Sequence, residues 1–440
     1  MPNNLFRTIA RAATAAVSAL GLLQAGAALA AGPIPAVVDR PVTITFYNYN
    51  LASAGIGADA TKLMIQEFMT ANPNIKVNAV GVPSPDMAAR VQADMVAGRP
   101  PDVGQMVFSD FDFVVHSLGA KALEDLVPAD ELAGHFKGMS PNGLKLGVLD
   151  GKTFGLAYTF STPVLFYNAD LFRQAGLNPD QPPRTWAEVK AAALQIKAKT
   201  GKAGFLGGML GPLSDWMYQG IILSAGGRTL SEDRKTLMFG QGAALDAIRM
   251  LRDMADAGAI PNMALASTQE TMGSGNAGMY LQTSALQSFL INASAGKYEL
   301  RTAAMPSFGD KPTRPTNSGS ALVVFSTDPL KQRAAWELTK FLTSKHAYTI
   351  ITSQIGYLPL RTDIVDDPDY LGQWVKDHPL VRPNLEQLGR LSPWESFPGQ
   401  NYRQIEKMFN DAVEQAMFGK EDAAQVMADA QRRAQDLMPK

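Results

Sequence analysis

Several residue groups in this chain have the types and spacing that chemistry uses, and most of the catalytic possibilities fail on inspection. Gly273, Gly275 and Gly278 satisfy G-x-G-x-x-G. A dinucleotide fingerprint needs a strand before it and a helix opening on it, whereas here the strand-like run AGMYLQ (277–282) follows directly. The four histidines, His116, His135, His346 and His378, stand alone, and there is no cysteine to supply a thiolate. Neither H-E-x-x-H nor G-x-S-x-G occurs. Pro368 interrupts the Asp366, Asp367, Asp369 cluster and breaks any calcium-loop register. The expectation is therefore no metal, no cofactor and no catalytic residue. Binding chemistry remains. Ser161 and Thr162 offer hydroxyls at a strand end, where they bond a ligand oxygen or cap their own backbone. Thr283 and Ser284 open a helical run, as N-caps and as an anion-attracting terminus. Gly319, after Ser318, lets a ligand or another chain segment approach the backbone closely. Arg403 carries a planar fork suited to phosphate or paired hydroxyls, or else to a neighbouring Glu406. Trp186 and Trp216 supply aromatic faces that either cover a ligand or fill a core.

These residues need a scaffold, and the hydropathy pattern provides one. The run VTITF (42–46) alternates as a strand, helix 58–71 stops at Asn72-Pro73, and IKVNAV (75–80) is the next strand. That βαβ unit predicts a parallel sheet. A helix over 86–97 and a strand over 102–107 extend it, with Met87, Val91 and Met95 as the buried stripe. Beyond Phe154 a second α/β region is expected. Its strands are PVLFYN (163–168) and AGMYLQ, and its helices span 169–175, 186–200, 215–225, 242–257 and 284–295. Then come a strand at 319–325, helices 329–343 and 345–354, a connector IGYLPL, and an almost wholly helical 370–440. The chain of 440 residues has room for two domains. Its hydrophobic content of 46% and charged content of 18% describe a folded soluble protein. A net charge of −1 gives no reason to expect nucleic acid as a partner. Arg7 and Arg11, a weakly apolar stretch and Ala28-Leu29-Ala30 read as a cleaved secretory signal over residues 1–30. With no cysteine, no lipid anchor is expected, and the mature chain should be free in the periplasm.

The segment STPVLFYNADLFRQAGLNPDQPPRTW, Ser161–Trp186, runs strand, short helix, A-G-L, proline-rich loop and T-W helix start. It closely resembles the hinge-proximal segment of the solute-binding proteins that serve bacterial ABC importers, and within them the glycerol-3-phosphate binders. The resemblance implies an α/β, two-lobed periplasmic binding protein fold of type II with a ligand cleft between the lobes. The first lobe would span 41–158 plus about 320–356, the second 159–318 plus about 358–440. Crossings would fall near 158–163, 317–319 and 357–360. It implies a monomer that is no enzyme, needs no cofactor and hands a small polar solute to permease subunits driven by cytoplasmic ATPases. Tyr357 and Arg403 match the tyrosine and arginine of the glycerol-phosphate binders. Ser161, Thr283, Ser284 and Gly319 fall at further contact positions. The first-lobe tyrosine of that branch falls at Ser84, and its glutamate falls within Phe108-Ser109-Asp110. Glycerol-3-phosphate or a glycerophosphodiester is the ligand the resemblance implies, and those changes leave a sugar or oligosaccharide as the alternative. A secreted carbohydrate-active enzyme and a non-transport receptor are the rival classes.

Overall fold

The computed structural model describes residues 34–440 apart from 53, 208–210 and 212. The signal segment expected over 1–30 lies outside the described residues. Eleven strands occur among them. The first lobe begins with β1 (Val42–Asn48), β2 (Ile75–Gly81) and β3 (Val103–Val107). β1 pairs in parallel with both others, as its βαβ pattern requires. A two-strand hairpin, β4 (Val148–Leu149) and β5 (Lys152–Thr153), precedes β6 (Gly155–Ser161). β7 (Pro163–Asn168), β8 (Ala203–Leu206), β9 (Ala277–Thr283) and β10 (Leu300–Ala304) follow, and β11 (Ser318–Val324) closes the set.

Two sheets result. One has the order β2-β1-β3-β11-β6, the other β10-β7-β9-β8. β3, β6 and β7 are buried at every position, which is why they show no alternation of apolar and polar residues. Thr162 alone separates β6 from β7, so the chain leaves one sheet and enters the other within a single residue. It returns between β10 and β11. The third passage lies further along than residues 357–360. Leu358 N donates to Phe160 O at 2.9 Å, Ser140 N to Leu360 O at 2.8 Å, and Arg361 Nη1 to Lys137 O at 2.8 Å. These bonds hold 358–361 on the first lobe. The chain is on the second lobe by Arg382–Gln387, where Gln387 bonds Pro163 O at 2.9 Å.

Local signals explain the helices. Trp186–Thr200 starts at a full capping box between Thr185 and Glu188 and ends at Gly201 in the left-handed region. Helices Gly242–Asp256, Tyr402–Phe418 and Ala423–Gln435 form the outer layer of the second lobe, with Phe409 against Phe239 and Phe397. Three helical expectations need correction. The run from Ser284 begins as a 3-10 turn and becomes α-helical only at Gln287. The helix from Lys345 widens into a π-turn over Ile351–Ile355. Residues 391–401 are not helical at all, because Pro393, Pro398 and Gly399 (φ +84°) break the run. No helix among the described residues is long and apolar enough to cross a membrane.

Candidate functional site

Ligand sites in open α/β sheets lie beyond the carboxyl ends of the parallel strands. Here Tyr49 follows β1, Ser84 lies just beyond β2, and Val107 ends β3. All three line a cavity of about 200 Å³ whose opposite wall is Leu213, Trp216 and Trp394, with Ser318 and Gly319 at a crossing and Tyr357 beside them. An adjoining hollow of about 290 Å³ shares Tyr49 and Tyr357 and continues past Gly55 and Ala58 to Ala285 of the second lobe. Four aromatic side chains therefore surround a space bordered by serine hydroxyls.

A polar network fixes the floor. The Tyr49 hydroxyl lies 2.7 Å from Thr159 Oγ1, and Gln105 Nε2 donates to Thr159 Oγ1 at 2.8 Å and to Ser320 Oγ at 3.0 Å. Gln105, Thr159 and Ser320 are fully buried, so their mutual bonds are what make their burial tolerable. Ser161 Oγ contacts Thr283 Oγ1 at 2.6 Å and Ser318 Oγ at 2.8 Å, tying both sheets together where the chain crosses. Gly319 sits at φ +109°, and a Cβ there would meet Thr159 O at 2.0 Å. The close approach that demands glycine is thus to the β6 backbone, while the same residue borders the cavity.

Behind Trp216 and Trp394 lies a buried charged cluster that spans both lobes. Trp394 Nε1 donates to Asp215 Oδ2 at 2.5 Å. Asp110, which follows β3, lies 2.5 Å from Arg403 Nη2 and accepts from the Tyr402 hydroxyl at 2.7 Å. Glu406 Oε2 stands 3.2 Å from Arg403 Nη1. Asp110, Asp215 and Glu406 are almost wholly shielded from solvent. Burial pushes the Asp110 carboxyl up to about 6 against the pull of Arg403 and the Tyr402 hydroxyl. Burial lifts Asp215 to about 7 against the Trp394 bond and Arg403. Glu406 rises to about 8 by burial and the Asp215 charge, with Arg403 opposing. Ser109 Oγ, Asp110 Oδ2, Asp215 Oδ1, Asn317 Nδ2 and Arg403 Nη2 are buried without a hydrogen-bond partner.

The expected residues now have places. Ser84, Gly319 and Tyr357 line the cavity. Ser161 and Thr283 lie under it, and Ser284 is buried with its hydroxyl unpartnered. Ser109, Asp110 and Arg403 belong to the charged layer. Trp186 lies elsewhere, 2% exposed in the second-lobe core against Phe205 and Phe308. Trp216 is the cleft tryptophan of the pair. Sequence reasoning missed Tyr49 and Trp394, both in irregular segments with no periodicity; the paired prolines around Trp394 were the available signal. Among the described residues no group of three or more His, Cys, Asp or Glu is placed to hold a metal ion.

A family model described as bacterial extracellular solute-binding protein matches residues 63–383. The chain belongs to the bacterial extracellular solute-binding proteins. Among curated relatives, this solute-binding protein is 26% identical over 300 residues to the sn-glycerol-3-phosphate-binding periplasmic protein UgpB of Yersinia enterocolitica, covering 66% of this chain and 67% of that one. Its fold superposes on the cyclic alpha-maltosyl-1,6-maltose binding protein of Arthrobacter globiformis with a TM-score of 0.78 at 24% identity, covering 90% and 98% of the two chains. UgpB of Mycobacterium tuberculosis, solved in complex with glycerophosphocholine, gives 0.76 at 20% identity and the same coverages. The two-lobed periplasmic binding protein fold is therefore that of this solute-binding protein, with its cavity between the lobes.

Proposed function

We propose that the protein captures an uncharged polyhydroxylated solute, a sugar or short oligosaccharide, for an ABC importer. The observation that carries this reading is the cavity wall. Tyr49, Trp216, Tyr357 and Trp394 offer faces for the C–H surfaces of a sugar ring, Ser84 and Ser318 offer hydroxyls, and among the described residues no charged side chain lines the space. The fold match to a cyclic maltosyl-maltose binder accords with it. Ligand contacts from both lobes would favour the closed state, which a permease with cytoplasmic ATPases then engages. On this reading the chain is not an enzyme, acts as a monomer, and works free in the periplasm after loss of a cleaved leader.

A second reading, glycerol-3-phosphate or a glycerophosphodiester, is favoured by Arg403 and Tyr357, by the likeness to the Yersinia binder, and by the glycerophosphocholine complex of the Mycobacterium structure. In that case Arg403, with Ser161, Gly319 and Thr283 nearby, holds the phosphate end. A thermal-shift screen with maltose, trehalose, glycerol-3-phosphate and glycerophosphocholine separates the two. A true ligand raises the midpoint with concentration by mass action. The sugar reading expects a neutral saccharide to do so, and stabilisation by phosphate esters alone would overturn it. Hydrolysis of an oligosaccharide by the purified protein would instead support the enzyme class.

A further inference from the structure

Both walls of the cavity run directly into a further contact between the lobes. Val107 lines the first-lobe side, and Asp112 follows it in the helix Phe111–Ser117. Trp394 lines the other side, and Ser396 lies just beyond it. That segment is fastened to the second-lobe helix Asp215–Ala225 by Gln219, which bonds the Glu395 backbone N–H at 2.9 Å and carbonyl at 3.0 Å. Asp112 bonds three second-lobe groups. Its backbone N–H donates to Ser396 Oγ at 3.0 Å, its Oδ1 accepts from Gly399 N at 3.1 Å, and its Oδ2 accepts from Arg234 Nη2 at 2.8 Å. Arg234 Nη2 also donates to Ser396 O at 2.9 Å. None of these residues lies in the three passages where the chain itself changes lobe.

The second lobe holds Arg234 out for this contact. It sits at the tip of a hairpin whose stems pair at Leu230 and Leu237. The outgoing stem is bonded to Gln431 and Gln435 of helix Ala423–Gln435. Arg234 has φ +59°, a left-handed backbone that a residue with a Cβ adopts only at a cost. The tip keeps it there. Ser231 Oγ donates to Asp233 Oδ1 at 2.6 Å and accepts from Thr236 N at 2.9 Å, while Arg234 N donates to Ser231 O at 2.9 Å. The strained residue is thus the one that reaches the other lobe.

We propose that Arg234 and Asp112 form a clasp that biases the cleft toward its closed form before any solute arrives. They are positioning residues for capture. A larger closed fraction raises the apparent affinity for any solute that both lobes must contact. Losing the charged hydrogen bond should lower the ratio of closed to open molecules by about tenfold or more. Asp112 keeps a partner in its own lobe when the clasp opens, because His116 Nδ1 stands 3.3 Å from its Oδ1. This inference rests on the two-lobed fold, and not on which solute fills the cleft.

The test is the distance between the lobes in the ligand-free protein. The chain contains no cysteine, so two introduced ones can be spin-labelled without interference. Leu63→Cys and Phe289→Cys use exposed positions on helices Ile56–Ala71 and Gln287–Ser294, near Ala58 and Ala285 of the adjoining hollow. Arg234→Gly removes the arm and relieves the φ +59° backbone, so the hairpin should fold as before. Asp112→Asn is the second variant, keeping the side-chain shape while removing the charge. With Arg234 and Asp112 in place, pulsed dipolar spectroscopy should show a dominant short distance. Each variant, shown folded by its melting transition, should move the ratio of short to long distances by about tenfold or more toward the long one. A purely structural Arg234 would lower the melting temperature of Arg234→Gly and leave the distances unchanged. Distances in the folded variants that coincide with the parent overturn the proposal, and so does a parent already dominated by the long distance.

Discussion

Replacing Glu406 by glutamine should flatten the pH dependence of stability between pH 7 and 8. Asp215 and Glu406 are buried behind the tryptophan wall with native pKa values raised to about 7 and about 8. In the unfolded chain both carboxyls have released their protons well below pH 6. The native state therefore holds more protons than the unfolded state, and stability must fall as pH rises through this window. Within this window the pair holds protons that the unfolded chain has lost, so the slope is negative and on the order of 1 kcal/mol per pH unit. Other shifted groups barely intrude. Glu131, drawn down to about 2 by Arg333, Lys340 and Trp336 against its own burial, titrates far below the window. His135, pushed down to about 3 by burial, is neutral in the native state throughout. His116 is raised from its ordinary value by Asp150 and Asp112 against its burial, and its share is common to wild type and variant. Urea unfolding followed by tryptophan fluorescence at pH 7.0, 7.5 and 8.0 reads the slope. Wild type should lose on the order of 1 kcal/mol across that unit and Glu406→Gln clearly less. A variant that keeps the wild-type slope would refute the placement of these protons.

Three other substitutions separate cleft from core and test the crossing. Trp394→Ala removes roughly 50–100 Å² of apolar contact from a bound ring, which at about 25 cal/mol per Å² weakens binding roughly 10- to 100-fold by calorimetry. Trp186→Phe should leave binding unchanged and lower the melting temperature, since its ring packs on Phe205 and Phe308; the reverse pattern would exchange their roles. Gly319→Ala places a Cβ 2.0 Å from Thr159 O at φ +109° and should cost about 3 kcal/mol or more. A melting temperature within a degree or so of wild type would show that the β6–β11 pairing yields there.

What could be read from the sequence depended on how local its cause was. The helix Trp186–Thr200 was legible to the residue because Thr185, Glu188 and Gly201 mark both ends chemically. β1, β2 and β9 were legible from their patterns. β8 and β10 were not, because each is four or five residues long and β10 is largely half-exposed, so tertiary pairing rather than periodicity creates them. The site divided in the same way. Ser161 and Gly319 sit in runs whose spacing signals a strand end. Tyr49 and Trp394 are brought together by the meeting of two lobes, a contact between residues far apart in the chain. Arg403 was recognisable, but its pairing with Asp110 across 293 positions was not.

On the proposed reading, the interlobe cleft of this solute-binding protein holds an uncharged polyol between its aromatic walls. Calorimetric titration of the purified protein with a series of neutral oligosaccharides, run beside glycerol-3-phosphate and glycerophosphocholine, tests it most directly. One saccharide site per chain is expected, lost in Trp394→Ala and Tyr357→Ala. Binding of phosphate esters alone, or saccharide binding indifferent to both substitutions, would contradict it.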